Sequence, residues 1–305
     1  MSVGCRDMRL LVLLLTFAGA AEAARINKAI ELLAQGQPVY YTTSRGGYEE
    51  GKALAHTWAD YINYELEHGA FDVTKLREFM QGLVDGGPTP SGHRTPAVIA
   101  TIPVLGLDEA TMRANGWVVQ QVLAAGVHGV ILCHARTAGA VGAFVQAARY
   151  PFHEQEVGDG LEEGLRGSGS QHFAAQIWGI SPGDYLRVAD TWPLNPEGEI
   201  LLGLKIEDRH ALENTEATTK VPGVGFAEWG PGDMSFSYGF LSRPRPDPQV
   251  LVDARARVLA ATKAAKIFFL NSVTTENVEA QIDDGMMIGA ANEAAAAKGR
   301  VYSRR

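Results

Sequence analysis

Ionisable side chains follow three of the short apolar segments in this chain, close to the point where each segment ends. His68 follows residues 61–65, Glu207 follows 200–206, and Asp233 follows 224–228. Two carboxylates can bind one hard cation, and Mg²⁺ leaves most of its positions to water and substrate oxygens. A 2-oxo acid could chelate such an ion, while a histidine, which titrates near neutral pH, could move a proton. These residue types therefore predict metal-assisted chemistry on an oxygen-rich substrate.

Each of these residues also has an ordinary structural explanation. A single carboxylate after a strand is commonly a helix N-cap or a solvated loop residue, and a single loop histidine is commonly a surface residue. The functional interpretation therefore depends on all three groups ending strands of the same fold.

The elements that must position these groups alternate along the chain. From residue 25 onward, β-rich apolar segments alternate with helix-like ones, which is typical of a parallel α/β fold. Eight such segments fit a single (β/α)8 TIM barrel, whose active sites form at the carboxyl ends of the strands. No G-x-G-x-x-G follows the first strand, which disfavours a dinucleotide-binding sheet. The predicted strands are 39–43, 61–65, 97–102, 129–132, 200–206, 224–228, 267–271 and 286–288, and helices are predicted at 107–125, 138–149, 250–265 and 276–283.

Two segments interrupt this alternation. Residues 151–191 are rich in Gly, Ser, His and charged residues and are predicted to be a long irregular insert, serving as a lid, a binding loop or a subunit contact. Residues 86–96 form a shorter Gly- and Pro-rich loop. Neither has the character of an interdomain linker, so residues 25–305 are predicted to form one barrel domain.

The first 24 residues differ from the rest. Arg6 and Arg9 precede an apolar run at 10–20, and Ala21-Glu22-Ala23 follows it. This pattern predicts a signal peptide at residues 1–24, because the run is short for a bilayer span and ends in an A-x-A site. We expect a periplasmic or secreted protein, without a membrane span in the mature chain, if the peptide is cleaved, and a cytoplasmic protein otherwise. A buried N-terminal helix is the alternative.

Composition narrows the partners. The 305 residues include 27 Lys and Arg against 35 Asp and Glu, a net charge of −8, and no basic run, so nucleic acid is not an expected partner. Cys5 and Cys133 cannot build a disulfide framework or a cysteine-based zinc site. The chain also lacks the G-x-S-x-G and H-E-x-x-H patterns of serine hydrolases and zinc proteases.

Five short segments occur together and in one order: E-H-G at 67–69, A-R-Y-P at 148–151, G-L-R-G-S-G at 164–169, K-I-E at 205–207 and G-P-G-D-M-S at 230–235. In this respect the chain resembles the HpcH/HpaI aldolase family over residues 26–299. The resemblance implies a TIM barrel of the phosphoenolpyruvate/pyruvate-binding type, class II pyruvate aldolase chemistry with Mg²⁺, Mn²⁺ or Co²⁺, and a homo-oligomer, either a hexamer or a trimer. It also implies that Glu207 and Asp233 hold the metal, that His68 is the catalytic histidine, and that Gly230 and Gly232 belong to the loop around the substrate carboxylate.

The chain departs from the family's pattern around this site. Thr101 stands where the resemblance places an arginine that reaches the keto oxygen, Lys205 replaces a glutamine, and Glu65 replaces the aspartate that orients the histidine. Cys133-His134 replaces a proline–hydrophobic pair. Loss of one electrophilic donor can cost on the order of 10²–10³ in rate, so another cation is expected to take its place.

Three cations are candidates for that role: Lys205, Arg136 and Arg45, the last directly after the first strand. Lys205 could donate to the substrate carboxylate or form a Schiff base. Arg45 and Arg136 could equally make surface salt bridges or subunit contacts. His134 either lines the site or caps the next helix.

The predicted reaction is the cleavage of a 4-hydroxy-2-oxo acid to a pyruvate-like 2-oxo acid and an aldehyde. His68, oriented by Glu65 or Glu67, moves the proton of the 4-hydroxyl group, and the metal with one of the cations stabilises the enolate. Two alternatives are open. One is another lyase or condensing enzyme of the same barrel with a different oxo or hydroxy acid, and the other is an exported oxo-acid-binding protein without turnover.

Overall fold

A closed barrel of parallel strands forms the centre of the computed structural model, which describes Met1 and residues 25–304. The strands follow the order β4-β3-β2-β1-β9-β8-β7-β6 around the barrel, and pairing of β4 with β6 closes it. The short β5 pairs only with the start of β6. The strands are β1 (Val39–Ser44), β2 (Tyr61–Glu65), β3 (Ala97–Leu105), β4 (Gly129–Cys133), β5 (Thr191–Trp192), β6 (Ile200–Ile206), β7 (Phe226–Trp229), β8 (Phe268–Ser272) and β9 (Met286–Ala290).

Helices lie around this barrel and separate its strands along the chain. Most of them begin at a residue whose side chain accepts a backbone N–H of the first turn, such as Asn27, Asp72 and Asp108. The helices are α1 (Lys28–Ala34), α2 (Tyr48–Leu54), α3 (Val73–Gly86), α4 (Glu109–Ala124), α5 (Ala138–Ala148), α6 (Gln171–Trp178), α7 (Pro182–Val188), α8 (Arg209–Glu213), α9 (Thr215–Thr218), α10 (Pro231–Ser237), α11 (Gln249–Ala265), α12 (Val278–Asp284) and α13 (Glu293–Tyr302).

Two apolar layers hold the fold together, because alternate residues of a strand face opposite sides. One layer, which includes Tyr61, Ile99 and Phe226, fills the inside of the barrel, and a larger layer packs between strands and helices. Gly203 makes room for the inner layer, since a Cβ there would lie 2.1 Å from the Phe226 ring. The interior of the barrel is thus a packed core beneath the rim.

The strand register brings the ends of the strands to one rim. Glu65 on β2 pairs with Thr101 on β3, and Lys205 on β6 pairs with Glu228 on β7. Because all the pairings are parallel, the residues that directly follow β2, β4, β6 and β7 meet at the same mouth of the barrel.

The predicted (β/α)8 class and its eight strands are confirmed, whereas the irregular character of residues 151–191 is partly wrong. That segment contains α6 and α7, whose apolar residues, such as Ile177 and Trp178, are buried. The polar, Gly-rich stretches around these helices obscure their periodicity in the sequence. The predicted signal peptide lies outside the described residues and stays a prediction. Within residues 25–304, no helix is long and apolar enough to cross a membrane.

Buried cations anchor the segment that includes α6 and α7. Arg149 donates to both carboxylate oxygens of Asp190, at 2.7 and 3.2 Å, and both side chains are almost fully buried. The Arg166 guanidinium lies 4.3 Å from the centre of the Tyr150 ring and donates to the Tyr185 hydroxyl. The A-R-Y-P and G-L-R-G segments therefore stabilise the wall of the barrel rather than its mouth.

Candidate active site

A buried lysine lies between two carboxylates at the mouth of the barrel. Lys205 Nζ donates to Glu67 Oε2 at 2.8 Å and lies 3.2 Å from Glu207 Oε2, whose side chain is only 1% exposed. Burial alone lowers the pKa of a lysine, but the carboxylates of Glu228, Glu207 and Glu67 outweigh it and raise the pKa of Lys205. Lys205 is therefore a permanent cation in this site.

The two carboxylates on either side of Lys205 respond differently. Burial raises the pKa of Glu207, and the nearby Lys205 and His134 offset only part of that effect. Burial also acts on Glu67, but there the charge and hydrogen bond of Lys205 are stronger, so its pKa is lowered. Glu67 is thus satisfied by the ammonium, whereas Glu207 still gains from a further positive charge.

A second histidine faces Glu207 from the other side. The backbone N–H of His134 donates to Glu207 Oε1 at 3.0 Å, and His134 Nε2 lies 3.8 Å from the same oxygen. His134 Nδ1 lies 2.8 Å from Asp208 Oδ2, which also accepts from Arg136 Nε at 2.8 Å. The hydrogen bond to Asp208 and the charges of Glu207, Asp208 and Asp233 raise the pKa of His134 against the effect of burial.

The predicted catalytic histidine, His68, lies at the open side of the mouth. Its Nδ1 is 3.5 Å from Glu65 Oε1 and 3.6 Å from Glu67 Oε2, and its side chain is 54% exposed. Glu65 Oε1 also accepts the backbone N–H groups of Glu67 and His68, which fixes the turn after β2. Arg45 extends to the same place, where Nη1 makes a long hydrogen bond of 3.5 Å to the His68 carbonyl.

The loop after β7 closes against Glu207. Gly230 precedes α10, and a Cβ at this position would lie 2.5 Å from Glu207 Cβ. Asp233 lies in the first turn of α10, near enough for its charge to act on His134. Gly232 is exposed, and a Cβ there would meet no atom within 4 Å.

Half of the predicted site residues thus form one continuous chain of charges: His68, Glu67, Lys205, Glu207, His134, and Arg136 through Asp208. Thr101 is not part of this chain. Its buried hydroxyl donates to Asn63 Oδ1 at 2.9 Å, on the inward face of β3 that also carries Ile99. Gly232 carries no side chain and is not part of this chain either.

Two residues of the site were missing from the predicted set. Asp208 caps α8, accepting from the N–H groups of His210 and Ala211, while its other oxygen orients His134. Asp208 directly follows Glu207 at the end of a predicted strand, and this position could have identified it as a site residue. Glu228 lies next to Lys205 on β7, and burial raises its pKa to about 7. Glu228 is a carboxylate within a predicted apolar strand, and this unusual position could have identified it.

The donor atoms at the mouth fit a divalent cation. Oxygen and nitrogen atoms of Glu67, His134 and Glu207 lie within 4.8 Å of one another, as do those of Glu65, Glu67 and His68. In the second group Glu65 is bonded to backbone N–H groups, and Glu67 is paired with Lys205. The better candidate is therefore the first group, at Glu207 and His134. The predicted metal ligand Asp233 belongs to neither group, although its charge acts on His134.

Fold and site together define a TIM barrel with a charged, metal-compatible centre at the carboxyl ends of its strands. Comparison with known proteins narrows this class. Residues 52–292 match the HpcH/HpaI aldolase/citrate lyase family, and the chain belongs to that family.

Individual members of the family share only low sequence identity with this chain. A hydroxypyruvate/pyruvate aldolase of Cupriavidus necator is 29% identical over 68% of this chain, and the match spans 64% of that relative. A solved HpcH/HpaI aldolase/citrate lyase family protein from Burkholderia cenocepacia has a TM-score of 0.68 at 21% identity, covering 90% of this chain and 96% of its own. The citrate lyase beta subunit from M. tuberculosis, solved with oxaloacetate and magnesium, has a TM-score of 0.52 at 14% identity, covering 89% and 99%. These structures support the fold.

Proposed function

We propose that this chain is a divalent-metal-dependent aldolase that cleaves a 4-hydroxy-2-oxo acid to a pyruvate-like 2-oxo acid and an aldehyde. The main support is Glu207, a carboxylate buried at the mouth of the barrel with Lys205 on one side and His134 on the other. The name of the C. necator relative and the magnesium in the M. tuberculosis neighbour agree with this chemistry.

Glu207 and Asp233 would hold the metal. Burial raises the pKa of Glu207, and Lys205 and His134 offset this effect only in part. A cation beside Glu207 would offset the rest of the desolvation cost. A divalent cation bound there supplies Lewis acidity to the keto oxygen of the substrate and stabilises the negative charge that develops on it. Carboxylate oxygens suit Mg²⁺ and Mn²⁺.

His68 would accept the proton of the 4-hydroxyl group. It is the most exposed ionisable group of the charged chain, so a substrate can approach it, and Glu65 and Glu67 flank its Nδ1. These carboxylates favour a ring with its proton on Nδ1, which leaves Nε2 free to take up a proton.

Lys205 would supply the positive charge of the arginine that the resemblance implies at position 101. Its ammonium has three donors, and two of them face Glu67 and Glu207, so the third can reach a substrate oxygen. A Schiff base requires a neutral amine, and the raised pKa of Lys205 opposes it. Lys205 is thus better suited to electrostatic stabilisation than to covalent catalysis. Arg45 and Arg136 are secondary candidates.

The test is deuterium exchange into the methyl group of pyruvate, followed by NMR in chelated protein and again after Mg²⁺ or Mn²⁺ is restored. Exchange should require the metal and should be lost in Glu207→Gln, while Glu213→Gln, on an exposed position of α8, should retain it. Exchange that survives chelation refutes the metal role. Metal binding without exchange favours one of the alternatives, a different substrate or a binding protein.

We also infer that the chain is exported and assembles as a homo-oligomer, as the N-terminal pattern and the family resemblance imply. Mass spectrometry of the N-terminus after expression in a host with a periplasm tests the first inference. Sedimentation velocity tests the second. A full-length, cytoplasmic product or a monomer would contradict them.

A further inference from the structure

The ring of His134 is fixed more tightly than a loop histidine requires. Its backbone adopts the left-handed conformation, with φ of 47°, which is costly for a non-glycine residue. This turn directs the backbone N–H to Glu207 and the ring to Asp208. Asp208 is held in place in turn by Arg136 and by the first turn of α8.

Its hydrogen bond determines which ring nitrogen is free. Both oxygens of Asp208 accept hydrogen bonds, Oδ1 from the N–H groups of His210 and Ala211 and Oδ2 from Arg136 Nε, so Asp208 is an acceptor towards His134 as well. His134 Nδ1 must therefore carry a proton, and the lone pair of the neutral ring is on Nε2. A carboxylate that orients the far nitrogen of a histidine in this way is typical of metal-ligating histidines.

His134 Nε2 also lies at a distance that suits a shared ion. Its separation of 3.8 Å from Glu207 Oε1 is too long for a hydrogen bond. Two ligands that each lie about 2.1 Å from one metal ion are roughly 3 to 4 Å apart, depending on the angle between them. The ammonium of Lys205 contacts the other oxygen of Glu207, whereas Oε1 faces His134 and accepts its backbone N–H.

We propose that His134 Nε2 is a third protein ligand of the metal held by Glu207 and Asp233, with Asp208 as its positioning residue. The inference rests on the proposed metal site. Imidazole favours later transition metals, whereas Mg²⁺ prefers oxygen ligands, so this site selects Co²⁺ over Mg²⁺ more strongly than carboxylates alone would.

The experiment compares metal affinities of the chelated full-length protein by titration calorimetry, with Co²⁺ and Mg²⁺ as probes. His134→Gln should weaken Co²⁺ binding by at least about tenfold and change Mg²⁺ binding much less, because only the nitrogen ligand is lost. His134→Asn should do the same, and asparagine tolerates the left-handed backbone. Asp208→Asn should weaken Co²⁺ binding about 10–100-fold through loss of orientation. The control His172→Gln, on an exposed position of α6, should change neither affinity.

Pulsed EPR with Mn²⁺ gives a direct readout, since ¹⁴N modulation should be present in the wild type and in His172→Gln but absent in His134→Asn. Equal loss of Co²⁺ and Mg²⁺ affinity, no change in either, or no ¹⁴N modulation in wild-type protein that binds Mn²⁺ overturns the inference and leaves the metal site itself intact. A wild type that binds no divalent metal overturns both the inference and the proposed function.

Discussion

Replacing Lys205 by methionine should destabilise the chelated protein strongly and in a pH-dependent way. The substitution keeps most of the apolar stem but removes the ammonium between Glu67 and Glu207. The three side chains are only 12%, 10% and 1% exposed, so water cannot replace the lost charge. The carboxylates would then face one another and Glu228 without the ammonium between them.

The magnitude follows from the burial of the pair. Removing one partner of a buried ion pair typically costs about 3–5 kcal/mol. We expect the lower end, about 3 kcal/mol near pH 8, because the remaining carboxylates can take up protons. Without Lys205 their pKa values in the folded protein rise, so the folded state binds more protons than the unfolded state. The unfolding free energy of the variant therefore recovers as the pH falls.

Urea denaturation of chelated protein at several pH values measures this effect. Lys220→Met, at an exposed position, is the matched control and should remain within about 0.5 kcal/mol of the wild type. Added Mn²⁺ should stabilise Lys205→Met more than it stabilises the wild type, because the ion takes over the missing positive charge. A deficit below about 1 kcal/mol that does not change with pH would show that Lys205 acts as an ordinary surface ion pair, and the reasoning would be wrong.

Three further outcomes are expected. Gly230→Ala should lower the unfolding free energy in urea denaturation by about 1–3 kcal/mol and weaken metal binding measured by calorimetry, because the added Cβ overlaps Glu207. Gly232→Ala should change neither quantity. Equal effects of the two substitutions would contradict this prediction. Burial raises the pKa of Glu228 from 4.5 to about 7, so the unfolding free energy of the chelated wild type should fall as the pH rises between these values. Glu228→Gln should remove most of that fall. Parallel plots of unfolding free energy against pH for the two proteins would refute the prediction. Burial lowers the pKa of His128 to about 3, so its ring signals in NMR should not titrate between about pH 5 and 8, and a midpoint in that range would be inconsistent with the buried ring.

The barrel could be predicted from the sequence because its signal is repeated. Each of the eight strands is a short apolar segment, and each is followed by a polar loop and a helical pattern, so an error at one strand does not change the architecture. The helices α6 and α7 were missed for the opposite reason. Each is short and lies between Gly-rich stretches, and the buried pair Arg149–Asp190 that anchors this region joins residues 41 positions apart in the sequence.

The candidate site was predictable only in part. Positions directly after strands identify Glu207 and His68, because parallel strands bring their carboxyl ends to one rim. The orientation of the His134 ring could not be predicted in this way. Its ring orientation depends on a left-handed backbone after β4 and on the register that pairs Leu132 with Leu204, which brings Asp208 within reach. Neither is encoded in local composition.

The charges at the mouth suggest that two departures from the family's pattern offset each other. Thr101 stands where the resemblance implies a positive charge on β3, and its hydroxyl donates to Asn63 instead. Lys205 adds a positive charge on β6, where it faces Glu67 and Glu207. By the pattern that the resemblance implies, the two changes together leave the total charge the same and place the cation on the strand that directly precedes Glu207. We expect that Lys205→Gln alone would leave Glu67 and Glu207 with one cation fewer, and that Thr101→Arg alone would give the site one cation more, so the two positions act on the same negative charge.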